Sequence, residues 1–513
     1  MRLPTILHKV TACCLLVTLS ANGRLCASEE DSTLELLDPK TFDYNAAAHL
    51  LSRAGFGGTP EEIQDLEKIG LNAAVSKLLS GAPDDDPVGD FQVKTTDKPM
   101  GRREFRRLPQ EKKKRLRQQF RRSDTQQCQK LRAWWIRRMV LTPRPLEEKM
   151  LLFWHGHFTS AQREVKNSHF LYLQNQTLRK NALGNFRNLV HTIARDPAML
   201  KYLNNNQNNR RKPNENFARE LMELFTLGVG NYSERDVKEA ARAFTGWKFR
   251  EGGEFFIQWR QHDSGVKSFM GREGHLNGND IIDTIFGQPA AARFLAGKLF
   301  RFFAHEEAPG PVLEALAKTL REHDFELRPF LSQLFRCKEF YSERARGSRI
   351  KSPVELVVGS LRLLRMDPGE SVTPALLAAQ LGQNLFQPPN VKGWDGGRDW
   401  ISTSTIVERY RLPKVLLSKN GMGMGMGMMR RSRDTNMVTR LPHWDPTVDG
   451  KRLLGDRSSS EEKVTHLLKH FLVVPLSDTA RRELIRILEE NEDGRGLQKA
   501  LEHIMSSPSY QLG

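Results

Sequence analysis

Apolar residues recur at helical spacing along most of this chain, and strand-like alternation is confined to one short stretch. The run Thr59-Pro60-Glu61-Glu62 has the form of a capping box with proline at the first helical position, and an amphipathic stretch follows it to Lys68. Gly70 is expected to end that helix, with residues 72–79 forming a second one. The same periodicity predicts helices over residues 146–154, 170–178, 217–225, 237–244, 291–303, 312–320 and 330–335, and helical structure again over 461–510. Only Phe255-Phe256-Ile257-Gln258-Trp259 alternates like a strand, and a return through residues 266–270 would close a hairpin. The expected fold class is therefore mainly α: a multi-helix globular protein with one small β-hairpin. Residues 291–341 and 461–510 each read as three amphipathic helices closed by an aromatic. Either a duplicated three-helix unit or chance resemblance between amphipathic helices accounts for that.

The N-terminus departs from this pattern. Arg2 and Lys9 flank the start of an apolar run over residues 10–19, and Leu25-Cys26-Ala27 then leads into Glu29, Glu30 and Asp31. Charge, apolar stretch and small residue in that order predict a secretory signal peptide, residues 1–27, and hence a periplasmic or extracellular protein. No apolar run reaches the roughly twenty residues needed to span a bilayer, so no transmembrane helix is expected. Cleavage after Ala27 would remove Cys13, Cys14 and Cys26, leaving only Cys128 and Cys337, with a bridge between those two left open. The mature chain then divides into an N-terminal helical region (28–100), a basic segment (101–138), a helical core (139–420), a Gly/Met-rich insert (421–434) and a C-terminal helical unit (435–513). Glycine at every second position of 421–429 predicts a flexible, dispensable run, with a soft thioether site for Cu(I) as the competing reading.

Charge sharpens the picture at one place. The net charge is +18, and between Gly101 and Met139 fifteen Lys or Arg face three acids, which supplies two-thirds of it. Such a segment is either a solvated helix face or an arm for an anionic polymer of the envelope; export argues against nucleic acid. Trp134, Trp135, Ile136 and Met139 read as the start of a buried helix rather than a stacking platform.

Candidate chemistry is sparse. The sequence holds no nucleophile elbow, phosphate loop, haem-attachment motif or zinc-protease helix. His155-Gly156-His157 follows an apolar helix, and in an extended segment alternate residues point the same way, so two imidazoles could meet one divalent metal such as zinc. Packing against the neighbouring Trp154 and Phe158 is the alternative. Asn214-Glu215-Asn216 opens a helix that also carries Arg219, Glu220 and Glu223. Glu215 and Arg219 can pair at i, i+4, leaving Glu220 and Glu223 to seek a cation or basic partners such as Arg179, Lys180 or Arg187. His262 and Asp263 lie in the expected hairpin, where Asp263 can also start a turn closed by Gly265. Convergence of these groups would give a metal site of His155, His157, Glu215, His262 and Asp263, with Glu220 as general base and Arg219 beside it.

Nine stretches resemble, in order, a bacterial family called domain of unknown function 1800: AAHLLSRAGFGGTPEE, EEKMLLFWHGHF, LRKNALGNFRNLV, DPAMLKYL, PNENFARELMELFTLGVGNY, DVKEAARAFTGW, HDSGVKSFMG, KSPVEL and PPNVKGWDGG. The resemblance covers roughly residues 46 to 412. It implies an exported, mostly helical protein often encoded beside a sulfatase-like partner family (domain of unknown function 1501), and it supplies no catalytic residue. Asn204 stands in the Tyr202-Leu203-Asn204 stretch where the family usually has aspartate. If that position binds a cation, the site here has lost one negative charge. Two functions of different class remain: a non-catalytic binding or assembly partner of a sulfatase-like protein, or a metal-dependent hydrolase acting on an envelope or extracellular polymer.

Overall fold

The structure is a computed structural model that describes residues 34–80, 86–93, 102–417, 446, 448–491 and 495–513. The expected signal peptide with its cut after Ala27 and the Gly/Met run at 421–429 lie outside the described residues. Among the described residues are 22 α-helices and two antiparallel two-stranded sheets, so the fold is mainly α. Among the described residues no helix is long and apolar enough to cross a membrane. One apolar core runs from Phe42 to Tyr510 and takes in helices from both sides of the 421–434 run.

Local chemistry places most of these helices. Thr59 and Glu62 close a reciprocal cap, with Thr59 N–H donating to Glu62 Oε2 at 2.8 Å and Glu62 N–H to Thr59 Oγ1 at 3.3 Å. The helix runs Pro60–Ser80 with a kink at Gly70, where φ is +79°. The basic segment folds into the short helix Arg102–Arg107 and the long helix Gln110–Leu141. Its first half is largely exposed, as a solvated face would be. Cys128, Leu131, Trp135, Ile136 and Met139 are buried in its second half. The tryptophan pair therefore anchors the end of a long helix rather than starting a new one. Trp134 is only half-buried and donates from its indole to Gly89 O at 2.9 Å.

The β-structure pairs differently from expectation. Phe255–Ile257 returns onto Trp247–Phe249, with Phe249 opposite Phe255, and Lys267–Phe269 pairs forward onto Arg272–Gly274. Two hairpins replace one because the turn residues sit inside each pair. Gly253 takes φ +95° in the first turn, and Met270 and Gly271 take φ +47° and +81° in the second, the signs that a tight two-residue turn of the I′ kind requires.

The two three-helix stretches share an element order. Pro289–Phe303, Gly310–Glu322 and Leu327–Leu334 lead to a 3-10 turn holding buried Tyr341. Ser460–Phe471, Asp478–Glu489 and Arg495–Ser506 lead to one holding buried Tyr510. The bridge question is settled in the negative: Cys128 and Cys337 are both buried and free.

One buried carboxylate makes the fold pH-sensitive. Asp196 caps helix Pro197–Tyr202, accepting from Met199 N–H at 2.9 Å and from Gln174 Nε2 at 3.0 Å. Burial outweighs those bonds and pushes its carboxyl up to about 7. Folding then favours the protonated form, so this group's contribution is full below about pH 4 and is lost as pH rises through about 7. Asp196→Asn is expected to gain stability relative to the parent by on the order of 1 kcal/mol per pH unit across that window. Urea midpoints at pH 5 and 7.5 would measure it, and an unchanged gap between the two proteins would refute it.

Candidate functional site

His155 and His157 lie in the last turn of helix Pro145–His157, not in an extended segment. Residues two apart on a helix point about 200° apart, so the two rings enter different surroundings. His155 Nε2 accepts from Phe386 N–H at 3.0 Å, which puts the ring proton on Nδ1, and the ring sits edge-on to Trp135 and beside Trp394. His157 donates from Nε2 to Phe225 O at 3.0 Å and accepts at Nδ1 from Lys298 Nζ at 3.2 Å. Burial holds both imidazoles neutral: His155 falls to about 3 and His157 well below its usual value, the latter helped by Lys298. Burial also brings Lys298 down to about 8.

The acidic helix splits in two. Asn216–Glu220 is α-helical, and Leu221–Thr226 continues it as a π-helix, a conformation that recurs at functional sites. Arg219 bonds Glu215 at 3.2 Å as the spacing predicts, and it also grips both oxygens of Glu234 at 2.7 and 2.8 Å. Glu223 accepts from the Tyr232 hydroxyl at 2.8 Å. Glu220 is half-buried and makes no hydrogen bond among the described residues; burial, with Glu223 beside it, raises its carboxyl. The basic groups offered by sequence go elsewhere. Arg179 bonds Glu148 at 2.7 Å, and Arg187 pairs with Asp324 at 2.9 Å.

His262 is buried and bonds Thr245 O through Nδ1 at 2.9 Å. Asp263 is held by Arg242, whose Nε lies 2.9 Å from Oδ2, while Gly265 N–H donates to Oδ1 at 2.9 Å and closes the expected turn. Arg242 thus occupies the place a cation would take, and it keeps the Asp263 carboxyl below its usual range. Asn204 is exposed at φ +57°, a left-handed turn that asparagine adopts readily. Among the described residues no three His, Cys, Asp or Glu side chains gather as ligands around a point. His155, His157, His262 and Asp263 each bond to different protein groups, Glu215 pairs with Arg219, and Glu220 is left without a hydrogen bond among the described residues.

The stretches that prompted the family resemblance do meet in space. The Pro/Gly loop after Phe386 lies along the end of helix Pro145–His157: Thr159 Oγ1 donates to Val391 O at 2.7 Å, and Arg163 donates to Pro389 O at 3.0 Å. Gly393, at φ +91°, sits so close that a Cβ there would stand 2.3 Å from Gly156 O. The family model described as "Protein of unknown function (DUF1800)" matches residues 49–512. The chain belongs to that family. The match extends past the Gly/Met run to the last helices, a hundred residues beyond the motifs legible in the sequence. No curated protein and no solved structure matches the chain.

Sequence reasoning missed a charged cluster in the interior of this DUF1800 chain. Glu355, in the KSPVEL stretch, caps its own helix, Pro353–Leu363, with Ser352. The same carboxylate meets Lys149 Nζ at 2.5 Å and Arg349 Nη2 at 3.2 Å. These three cations-and-acid partners, with Arg53 and Lys351, line a cavity of about 50 Å³ between the first helix, Tyr44–Ala54, and helix Pro353–Leu363. The available signal was Lys149 itself, a charged residue on a helix apolar nearly all round.

Proposed function

We propose that this protein is a non-catalytic, exported component of the cell envelope that binds or helps assemble a sulfatase-like partner. The carrying observation is an apolar stripe left open to solvent. Ile406, Val407 and Tyr410 share one face of helix Thr403–Leu417 and are 40, 49 and 53% exposed, with Ile401 just ahead of them. Contiguous apolar surface of this kind is the usual mark of a protein interface. Tyr410 also edges an open groove that runs beside Leu476 and Ala480. The sulfatase-like identity of the partner rests on the family resemblance, and the leader sequence supports export. The basic outer half of helix Gln110–Leu141 adds a second surface, suited to an anionic envelope polymer.

Engagement of both ring nitrogens of His157 and of the Asp263 carboxylate by protein groups weighs against a catalytic centre. The hydrolase reading keeps one point in its favour, the half-buried Glu220 at the start of a π-helix, where a divalent metal held with Glu223 could activate water. A tagged chain recovered from envelope extracts of its host separates the two. Co-purification of a sulfatase-like protein is expected, and Val407→Asp with Tyr410→Asp should abolish it while leaving the circular dichroism unchanged. Stoichiometric zinc on a chain that recovers no such partner would overturn the reading.

A further inference from the structure

The cavity beneath helix Tyr44–Ala54 gathers more cationic than acidic side chains. Arg53, Lys149, Arg349, Lys351 and Lys469 line it together with one acidic side chain, Glu355, and with Gly513, the last residue of the chain. Both oxygens of the Glu355 carboxylate are already engaged, Oε1 by Lys149 and Arg349 and Oε2 by Ser352 N–H at 2.7 Å. Lys149 and Arg53 are 1% and 2% exposed. Charges at that depth are costly unless they meet a counter-charge or hydrogen-bond acceptors. Backbone carbonyls meet part of the demand. Lys149 donates to Gly55 O at 2.8 Å, Lys351 to Tyr510 O at 2.7 Å, and Arg53 to Ala345 O at 3.1 Å. The Arg53 Nε finds no hydrogen-bond partner among the described residues. Ser52 adds a hydroxyl to the wall, and Lys351 and Arg349 are half-buried at its more open side.

We propose that this cavity binds a small tetrahedral oxyanion, phosphate or sulfate, through Arg53, Lys149, Arg349 and Lys351, with Glu355 holding Lys149 and Arg349 in position. Size agrees with this assignment. A volume of about 50 Å³ accommodates roughly four water-sized centres, the number of oxygens in such an ion. Chemistry agrees as well, since guanidinium and ammonium groups are the usual partners of these anions. The lysines give the site a second signature. Burial and neighbouring cations lower Lys149 to about 8 and Lys351 to about 7, so an arriving dianion draws protons onto them. This site is independent of the partner interface on helix Thr403–Leu417.

Calorimetric titration of the purified full chain with inorganic phosphate and with sulfate, at fixed ionic strength, tests the proposal. Saturable one-to-one binding is expected, with proton uptake near pH 7.5 visible as a heat that changes with the buffer's ionisation enthalpy. Acetate and chloride should give none. Glucose 6-phosphate distinguishes the source: weak binding assigns the site to the free ion, and binding as tight as phosphate assigns it to the same group carried on an ester. Arg53→Gln is the direct variant, but Arg53 also ties down Ala304 and Ala345, so its folding is at risk. Lys351→Gln, at the open side, keeps the test sharp and should weaken binding about tenfold or more while its melting temperature stays near the parent's. No saturable heat with either ion, or equal affinity in a folded Lys351→Gln chain, would overturn the site.

Discussion

Glu355→Gln is expected to cost about 3–5 kcal/mol of folding stability, the range seen when one member of a buried ion pair is removed. The carboxylate is 7% exposed and faces Lys149 and Arg349, and those cations pull it far below the usual carboxylate range. An amide of the same shape keeps a hydrogen-bond acceptor for Ser352 N–H, so the helix cap largely survives. What goes is the negative charge that lies 2.5 Å from Lys149. Because Lys149 already titrates near 8, part of the loss can be relieved by its deprotonation. The variant should therefore be least stable at low pH and recover as pH rises toward 9. Adding Lys149→Met should return part of the loss at neutral pH, since one orphaned charge is then gone. Guanidinium unfolding followed by circular dichroism would read all three effects. A change below about 1 kcal/mol in the single variant would mean that the cluster is solvated in a way the geometry does not suggest.

Gly393→Ala should be nearly as damaging, at about 3 kcal/mol or more, for two reasons that add. The residue holds φ +91°, where an L side chain is strained, and the new methyl would stand 2.3 Å from the backbone oxygen of Gly156. Neither backbone can yield without moving the Pro/Gly loop away from His155. Gly156 offers the control. It sits in the same contact, but a Cβ there meets nothing within 4 Å, and its helical backbone suits alanine. Gly156→Ala is expected to stabilise by up to about 1 kcal/mol. Opposite signs from two Gly→Ala changes on the two sides of one contact, read as thermal midpoints, would confirm how closely loop and helix approach. Equal, small shifts would show that the loop is loosely held.

Helices were legible in the sequence because their signals are local. The Thr59–Glu62 cap, the Gly70 break and the apolar faces of the later helices all depend on residues within one or two turns. Strand pairing failed at a position where the deciding signal was also local but was not weighed. Met270-Gly271 closes its own hairpin, so residues 267–269 pair forward and not back onto Phe255–Ile257. The candidate site failed for a different reason. His155-Gly156-His157 offers two imidazoles to one metal only if the backbone is extended. The helix ran three residues further than periodicity suggested, since a glycine between two aromatic-flanked histidines gives no clear stop. Arg242, which holds Asp263, lies 21 positions before it, and Lys298, which fixes His157, lies 141 positions after. No spacing rule connects such pairs. Glu355 is the reverse case: its capping role was readable from Ser352, yet its heavier duty toward Lys149 depends on tertiary packing alone.

The two buried thiols have a practical consequence. Burial pushes Cys128 and Cys337 up to about 11, so neither is a ready nucleophile while the chain is folded. One lies inside the long basic helix, and the other pairs its backbone with Leu36 at the far end of the first three-helix stretch. The folded chain thus carries a pair of silent labels, one on each of these elements. Alkylation by a thiol reagent would proceed only when the surrounding packing opens. The rate at each cysteine would then clock how often that part of the molecule breathes, without any engineered probe.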